Sequence, residues 1–352
     1  MTLADPMTAA TALRPLWRRV VWRTWRIVVA IPSVVLLVSI FVTVTAQVVQ
    51  DRWAWLAFIF YIPIWPIGLA AVAWDLLRLG WALPLRWLMF CLGVATVTLG
   101  IGAQFGPRRE PERLLTGESG TPISIVQWNI RWGGARGPDS LQEIIRELRA
   151  QRGDIMLLSE LPPTEWFLHE WRRSGGPEPL HHAVAGYGPG QDDYWYRVGL
   201  FSRWPVALRE IWKLPAGRAA LFEVSVDENR PFRVLAVDLE SSPYIHRAPS
   251  LLRVAEIAES LSTGGAPADV IAGDFNSPSR AFGFDKILQA AGGYRRAALW
   301  SGQWRGTYRQ DYPVLDIDHV LVGATGAIQR SRLFVNPASD HRGQQVQILL
   351  RR

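Results

Sequence analysis

Val270-Ile271-Ala272-Gly273-Asp274-Phe275-Asn276-Ser277-Pro278 is the stretch on which the fold turns. Three apolar residues and a glycine run into Asp-x-Asn, and Pro278 then blocks a return to regular structure. The stretch therefore reads as a buried strand that ends at a rim. Residues two apart in an extended chain point the same way, which puts the Asp274 carboxylate and the Asn276 carboxamide on one side. A carboxylate can activate water, and an amide can donate to a phosphate oxygen. A metal ligand and a histidine would complete such a site.

Around this stretch, residues 122–352 alternate between two periodicities. Strands are predicted at 123–129, 154–160, 198–202, 206–214, 219–226, 232–239, 316–322, 327–335 and 346–350, and helices at 140–151, 164–173, 247–261 and 279–290. Residues 190–197 read as a polar, aromatic loop. The mix predicts an α/β domain with sheets packed on each other and helices outside. Four further stretches fall at predicted strand ends: Gln127-Trp128-Asn129-Ile130, Leu157-Leu158-Ser159-Glu160-Leu161, Asp316-Ile317-Asp318-His319 and Ser339-Asp340-His341. With Asp274 and Asn276 they offer carboxylates at Glu160, Asp318 and Asp340, an amide at Asn129, and the imidazole of His341. Oxygen donors without a cysteine or histidine cluster favour a hard cation, Mg²⁺ or Mn²⁺, over Zn²⁺. His319 reads as a strand residue facing the other side, and His181-His182 as a surface pair.

The N-terminal third has a different composition. Residues 1–26 form a basic arm with Arg14, Arg18, Arg19, Arg23 and Arg26 among Trp17, Trp22 and Trp25. Residues 27–50, 53–74 and 87–107 are three nearly uncharged segments, each near the 20 or so residues that span a bilayer. Residues 27–106 are accordingly read as three transmembrane helices with tryptophans at their ends, and 107–121 as a polar linker. Seven Arg in the arm and the 75–86 loop, against four at positions 52, 108, 109 and 113, orient the N-terminus to the cytoplasm. The domain at 122–352 then lies outside the cytoplasm, anchored in the inner membrane. The net charge of +7 divides unevenly: residues 1–120 hold 11 Lys+Arg against 6 Asp+Glu, and 121–352 hold 27 against 25. The near-neutral C-terminal part argues against a surface built to coat DNA. The single cysteine, Cys91, excludes an internal disulfide.

The ordered series Asn129-Ile130, Leu158-x-Glu160, Gly273-Asp274-x-Asn276, Ile317-Asp318-His319 and Ser339-Asp340-His341 resembles the endonuclease/exonuclease/phosphatase (DNase I-like) family. Ser202-Arg203-Trp204-Pro205 and Thr307-Tyr308 look like further family stretches. The resemblance implies a four-layer α/β/β/α sandwich and metal-assisted cleavage of a phosphoric ester by a phosphatase, phosphodiesterase or nuclease. Glu160 would hold the metal with Asn129 and Asp340, and Asp274 would activate water. Asn129 and Asn276 would contact substrate, and Asp318 would orient His341 as acid or base. The three spans ahead of the domain resemble the membrane-anchored type linked to teicoplanin resistance, which implies a lipid-linked phosphate or pyrophosphate substrate.

This chain departs from the family pattern at Asp238, where many members carry a phosphate-contacting histidine; His246 follows and is a candidate substitute. Arg131 stands where some nucleases of the family carry an acid. Two other functions are open to the sequence. One is an anchored DNA or RNA nuclease with a basic groove at Arg295, Arg296, Arg305 and Arg309. The other is a non-catalytic binding or sensor domain.

Overall fold

The computed structural model describes residues 6–77, 86–113, 119–134, 138–186, 197–227, 230–290 and 293–351. The chain divides into two compact units, Met1–Val48 with Ile62–Ile101, and Val49–Tyr61 with Gly102–Arg352.

The first unit is helical: α1 (Pro6–Val49), α3 (Trp65–Leu77) and α4 (Arg86–Gln104) pack around Ile40, Ala71 and Met89, and α2 (Ala54–Tyr61) belongs to the second unit. Gly68 and Gly93 let α3 and α4 approach closely, since a Cβ on Gly68 would lie 2.6 Å from the Gly93 carbonyl oxygen. Two helices are long and apolar enough to cross a membrane, Ala30–Val49 and Trp87–Gln104. The third predicted span is broken. α2 and α3 form a bent pair that reaches spanning length only when counted together. Two prolines cause the break: Pro63 sits in the gap, and Pro66 is tolerated in the first turn of α3, where its missing N–H has no helical acceptor. The side chains of the Arg/Trp arm through Arg23, with Trp25 and Arg26, lie outside the described ones, as does the 190–196 part of the aromatic loop.

The second unit holds two six-stranded sheets. The first runs β11 (Gly326–Phe334), β12 (Gly343–Arg351), β1 (Gly120–Asn129), β2 (Ile155–Ser159), β4 (Val198–Ser202), β3 (His181–Ala185). The second runs β5 (Val206–Leu214), β6 (Gly217–Val224), β7 (Phe232–Leu239), β8 (Val270–Asp274), β10 (Asp318–Val322), β9 (Arg295–Arg296). Their facing side chains, among them Ile125, Leu157, Leu200, Phe222, Val234, Ala272, Val320 and Ile348, form the central core. α5 (Pro138–Gln151) and α6 (Thr164–Arg173) bury Ile144, Ile145, Leu148, Phe167 and Trp171 against the outer face of the first sheet. α7 (Ala248–Thr263) and α8 (Phe282–Gln289) contribute buried Leu251, Val254, Phe284 and Ile287. This is the sandwich the family resemblance implies. β3 went unread because HHAVA lacks a strict apolar alternation, and β10 starts at Asp318 rather than at residue 316.

Each sheet has one parallel pair at its centre, β1 with β2 and β7 with β8; their other ladders are antiparallel. A parallel pair brings two strand C-termini to the same rim, and an antiparallel neighbour begins there. Asn129, the Ser159–Glu160 step, Asp238 and Asp274 are therefore gathered at strand C-termini, and Asp318 starts β10 directly opposite Asp274. Gly273 is required in this frame. Its φ is +142°, and a Cβ would come within 1.9 Å of the Val237 carbonyl oxygen on β7.

Candidate active site

A cavity of about 460 Å³ opens at this rim, and Glu160, Asp274, Asn276, Asp340 and His341 line it. Asn129 and Asp318 sit beneath. Asp318 is fully buried, and its Oδ2 lies 2.8 Å from His341 Nδ1. Its other oxygen accepts from Gln127 Nε2 at 3.3 Å, and its backbone N–H donates to Thr307 Oγ1. His341 is fixed from several directions. Its carbonyl accepts from Trp128 Nε1 at 2.9 Å, its N–H donates to Ser339 Oγ, and its ring packs 4.9 Å from that of Tyr308. Ser339 Oγ in turn donates to the Asn129 carbonyl at 2.7 Å. The Ser-Asp-His and Thr-Tyr stretches thus hold the imidazole on the end of β1.

Asp274 Oδ2 accepts from Asn129 Nδ2 at 3.0 Å, and Oδ1 from the Asn276 N–H at 2.8 Å. Asn129 Nδ2 also reaches Glu160 Oε1 at 3.0 Å. Glu160 and Asn276 both have positive φ, +49° and +46°, a strained backbone that turns each residue off its strand end. The Asn276 amide donates to the Leu239 carbonyl at 2.8 Å, which ties the ends of β7 and β8 together.

The electrostatics follow from crowding acids in a dry rim. Burial, then repulsion from Asp318, pushes Asp274 up to about 7. Burial also raises Glu160. Burial opposes a charge on His341, but Asp318, Asp274 and Asp340 outweigh it and carry the imidazole up to about 10. An imidazolium therefore faces a carboxyl poised near neutrality. Asp238 lies opposite Asp274 in the β7–β8 register, is buried, and has no hydrogen-bond partner on Oδ2 among the described residues. Burial and the neighbouring acids raise it well above the carboxylate range. The shift favours the neutral acid at Asp238, which weakens its repulsion of a phosphate.

The carboxylate oxygens of Glu160, Asp274 and Asp340 at the cavity fit a hard divalent cation. Oxygen and nitrogen atoms of Asp274, Asp318 and His341 also lie within 4.8 Å of one another. Two expected ligands are differently engaged. Asn129 presents its N–H to the acids while its Oδ1 accepts from the Arg131 N–H at 3.0 Å, and Asp340 pairs with Arg131 at 3.3 Å. Glu160 and Asp274 line the cavity with no arginine ion pair among the described residues, whereas Asp340 has one.

Other expectations need correction. His246 does not line the cavity; its Nε2 meets the Asp51 carbonyl. Arg247 takes that place, buried and locked by bonds to the carbonyls of Glu240 and Ser242 at 2.8 and 2.7 Å. Two of the four arginines of the expected basic groove are paired with acids. Arg295 pairs with Glu112 at 2.7 Å, and Arg296 with Asp316 at 3.2 Å. His181 and His182 lie on β3, the outermost strand of its sheet. Tyr61 and Tyr308 also line the cavity; Tyr308 was expected only as part of a family-like stretch, and Tyr61 was not singled out.

His319 points away from the cavity, donating to the Ser277 carbonyl at 3.0 Å between Phe275 and Phe284. Burial pulls it down to about 4. The unfolded chain takes up this proton near pH 6.5 and the folded chain only near 4, so stability is full above 6.5 and falls as pH drops. At 1.36 kcal/mol per pH unit the loss by pH 4 is roughly 3 kcal/mol. A His319→Gln variant should lose about that much less between pH 6.5 and 4 in urea unfolding.

A family model described as Endonuclease/Exonuclease/phosphatase family matches residues 126–341. Solved structures of family proteins are similar in fold. One from Bacteroides thetaiotaomicron is 17% identical with a TM-score of 0.51, covering 66% of this chain and 99% of its own. One from Bacteroides vulgatus is 15% identical with a TM-score of 0.50, covering 65% and 99%. One from Beutenbergia cavernae is 16% identical with a TM-score of 0.50, covering 65% and 72%. No curated protein matches the chain.

Proposed function

The chain belongs to the endonuclease/exonuclease/phosphatase family, and on that premise we propose that it is a membrane-anchored, divalent-metal-dependent phosphoric ester hydrolase acting on a lipid-linked phosphate or pyrophosphate. The observation that carries the reading is the His341–Asp318 pair facing Asp274 and Glu160 across one cavity. Glu160 would hold Mg²⁺ or Mn²⁺, with Asn129 and Asp340 completing the set once their bonds to Arg131 yield. The bound cation supplies charge neutralisation on the phosphoryl oxygens. Asp274 takes a proton from the attacking water, since its carboxyl titrates near 7. His341, charged and oriented by Asp318, donates to the phosphoryl group or the leaving oxygen. Asn276 adds an amide at the cavity wall.

Three crossings agree with chain connectivity. Val49–Tyr61 and Gly102–Arg352 belong to one unit, so the chain departs after Tyr61 and returns at Gly102. If Trp87–Gln104 is one crossing, a second must precede it after Tyr61, for which α3 supplies 13 residues, short of a full span by itself. With Ala30–Val49 this makes an odd number, and the arginine bias then places the catalytic unit outside the cytoplasm. The apolar segments ahead of the domain support the lipid-linked class, since a membrane tether raises the effective concentration of a lipid head group at the cavity.

The test uses the full chain in nanodiscs with polyprenyl phosphate, polyprenyl diphosphate, soluble phosphate esters and DNA. Phosphate release from the lipid substrates, abolished by chelation and restored by Mg²⁺ or Mn²⁺, is expected. Cleavage of DNA alone would overturn the substrate class.

A further inference from the structure

The helix α2 belongs to the catalytic unit, yet it is apolar on both faces. Leu56, Ala57 and Phe60 are buried. On the other side Trp55 is 69% exposed and Phe58 47%, and Trp53, also exposed, stacks on Trp55 at 5.8 Å. A surface helix of a water-soluble domain carries polar residues on its outer face. Tyr244, 85% exposed, extends the patch by stacking on Phe58 with the rings 5° from parallel. The C-terminal residue of α2 is Tyr61, which lines the catalytic cavity with its ring 5.0 Å from the Arg247 guanidinium carbon.

Chain length restricts what can cover this face. The apolar segment Ala30–Val49 ends four residues before α2 begins. The five Cα steps from Val49 to Ala54 reach at most about 18 Å, so α2 cannot leave the neighbourhood of the membrane surface where that segment ends. At 1.5 Å per residue its eight residues span roughly 12 Å, so lipid contact and cavity lie within one short helix of each other. Tryptophan and tyrosine are the side chains that settle at the head-group level.

We propose that α2, with Tyr244, is an in-plane lipid-contacting platform that brings the head group of a membrane lipid phosphate into the cavity past Tyr61. This rests on the hydrolase reading and adds the surface that selects lipid-borne over soluble substrates. The hydrocarbon chain stays in the bilayer against Trp55 and Phe58. The phosphate enters between Tyr61–Arg247 and the His341 side. Tyr61 is here a specificity-determining residue, while bond cleavage is left to the acids and His341.

Two measurements test the platform in the full chain, reconstituted in phosphatidylethanolamine/phosphatidylglycerol vesicles. The first compares Trp55→Ser/Phe58→Ser with the parent on polyprenyl diphosphate in the vesicle and on a short-chain soluble diphosphate. The ratio of lipid to soluble kcat/KM should fall at least tenfold, and Trp55→Phe/Phe58→Leu should restore most of it. The second attaches a fluorophore to Trp55→Cys in a Cys91→Ala background and measures quenching by lipid-borne nitroxides; strong quenching is expected. An unchanged ratio from an active parent, or an unquenched label, overturns the platform. If the parent releases no phosphate from any substrate, the hydrolase reading fails, and the quenching measurement alone decides whether α2 lies in lipid.

Discussion

Asp274→Asn is expected to lower phosphate release about 10³-fold and at the same time to stabilise the metal-free protein above neutral pH. The carboxyl takes hydrogen bonds from Asn129 and the Asn276 N–H, is essentially inaccessible to water, and faces Asp318 and Asp238. Its folded-state pKa of about 7 lies above the unfolded value, so its contribution is fully present below pH 4 and is lost as pH rises through 7. By pH 8 the ionised side chain costs a few kcal/mol. The amide removes that repulsion and gives up one acceptor, a loss of about 1 kcal/mol, so relief wins. A melting curve at pH 8 in chelator should therefore move up for the variant, by about 2–4 °C per kcal/mol. Added Mg²⁺ should raise the parent's Tm more than the variant's, because the cation neutralises a charge that only the parent has. Parent-like activity in the variant would remove Asp274 from the chemistry. Loss of both activity and stability would mark it as structural.

The parts of this site that could be read in advance are those carried by local pattern. β8 is buried on both faces and shows four apolar or small residues before its acid, whereas the reason for Gly273, its approach to Val237, appears only in the structure. The Ser339 and Thr307 contributions were visible as residues but not as supports. Their partners, the end of β1 and the start of β10, come from far along the chain. Asp238 looked like an anomaly because its neighbours are strand-paired acids that sequence order separates. Tyr61 was hidden for a different reason. It stands inside the apolar run 53–74, and apolarity there reads as membrane whether a helix spans the bilayer or docks on a domain. The two prolines that break this run were visible, but a kinked span and a helix handed to the other unit look alike without contacts. Arg247 follows a histidine that better fits the family pattern, and only its carbonyl cage shows which of the two faces the cavity.

That docked segment leads to the other large effect: Phe60→Ala should destabilise the catalytic unit by about 3–5 kcal/mol, and Asp51→Ala by about 1–3. Phe60 is fully buried, with the Arg280 guanidinium carbon 5.2 Å from its ring and an Arg280 Nη2 bond to its carbonyl. Asp51, equally buried, accepts the first N–H of α8 from Phe282 at 2.7 Å and the Tyr61 hydroxyl at 3.4 Å. The α8 N-terminus has no side-chain cap of its own, so loss of the Asp51 carboxylate strands that donor inside the protein. The chain end of α4 is held similarly: Gln104 reaches Asp316, Glu112 pairs with Arg295, and Trp300 donates to the Glu110 carbonyl. A fragment beginning at residue 119 forfeits all of these at once. It should melt at least 10 °C below the full chain, at the 2–4 °C per kcal/mol of a domain this size, or fail to fold. Near-ultraviolet circular dichroism of the fragment, the two point variants and the parent in one detergent measures this. A fragment as stable as the parent would mean that the catalytic unit needs nothing from Val49–Tyr61, and the assignment of that segment to it would be wrong.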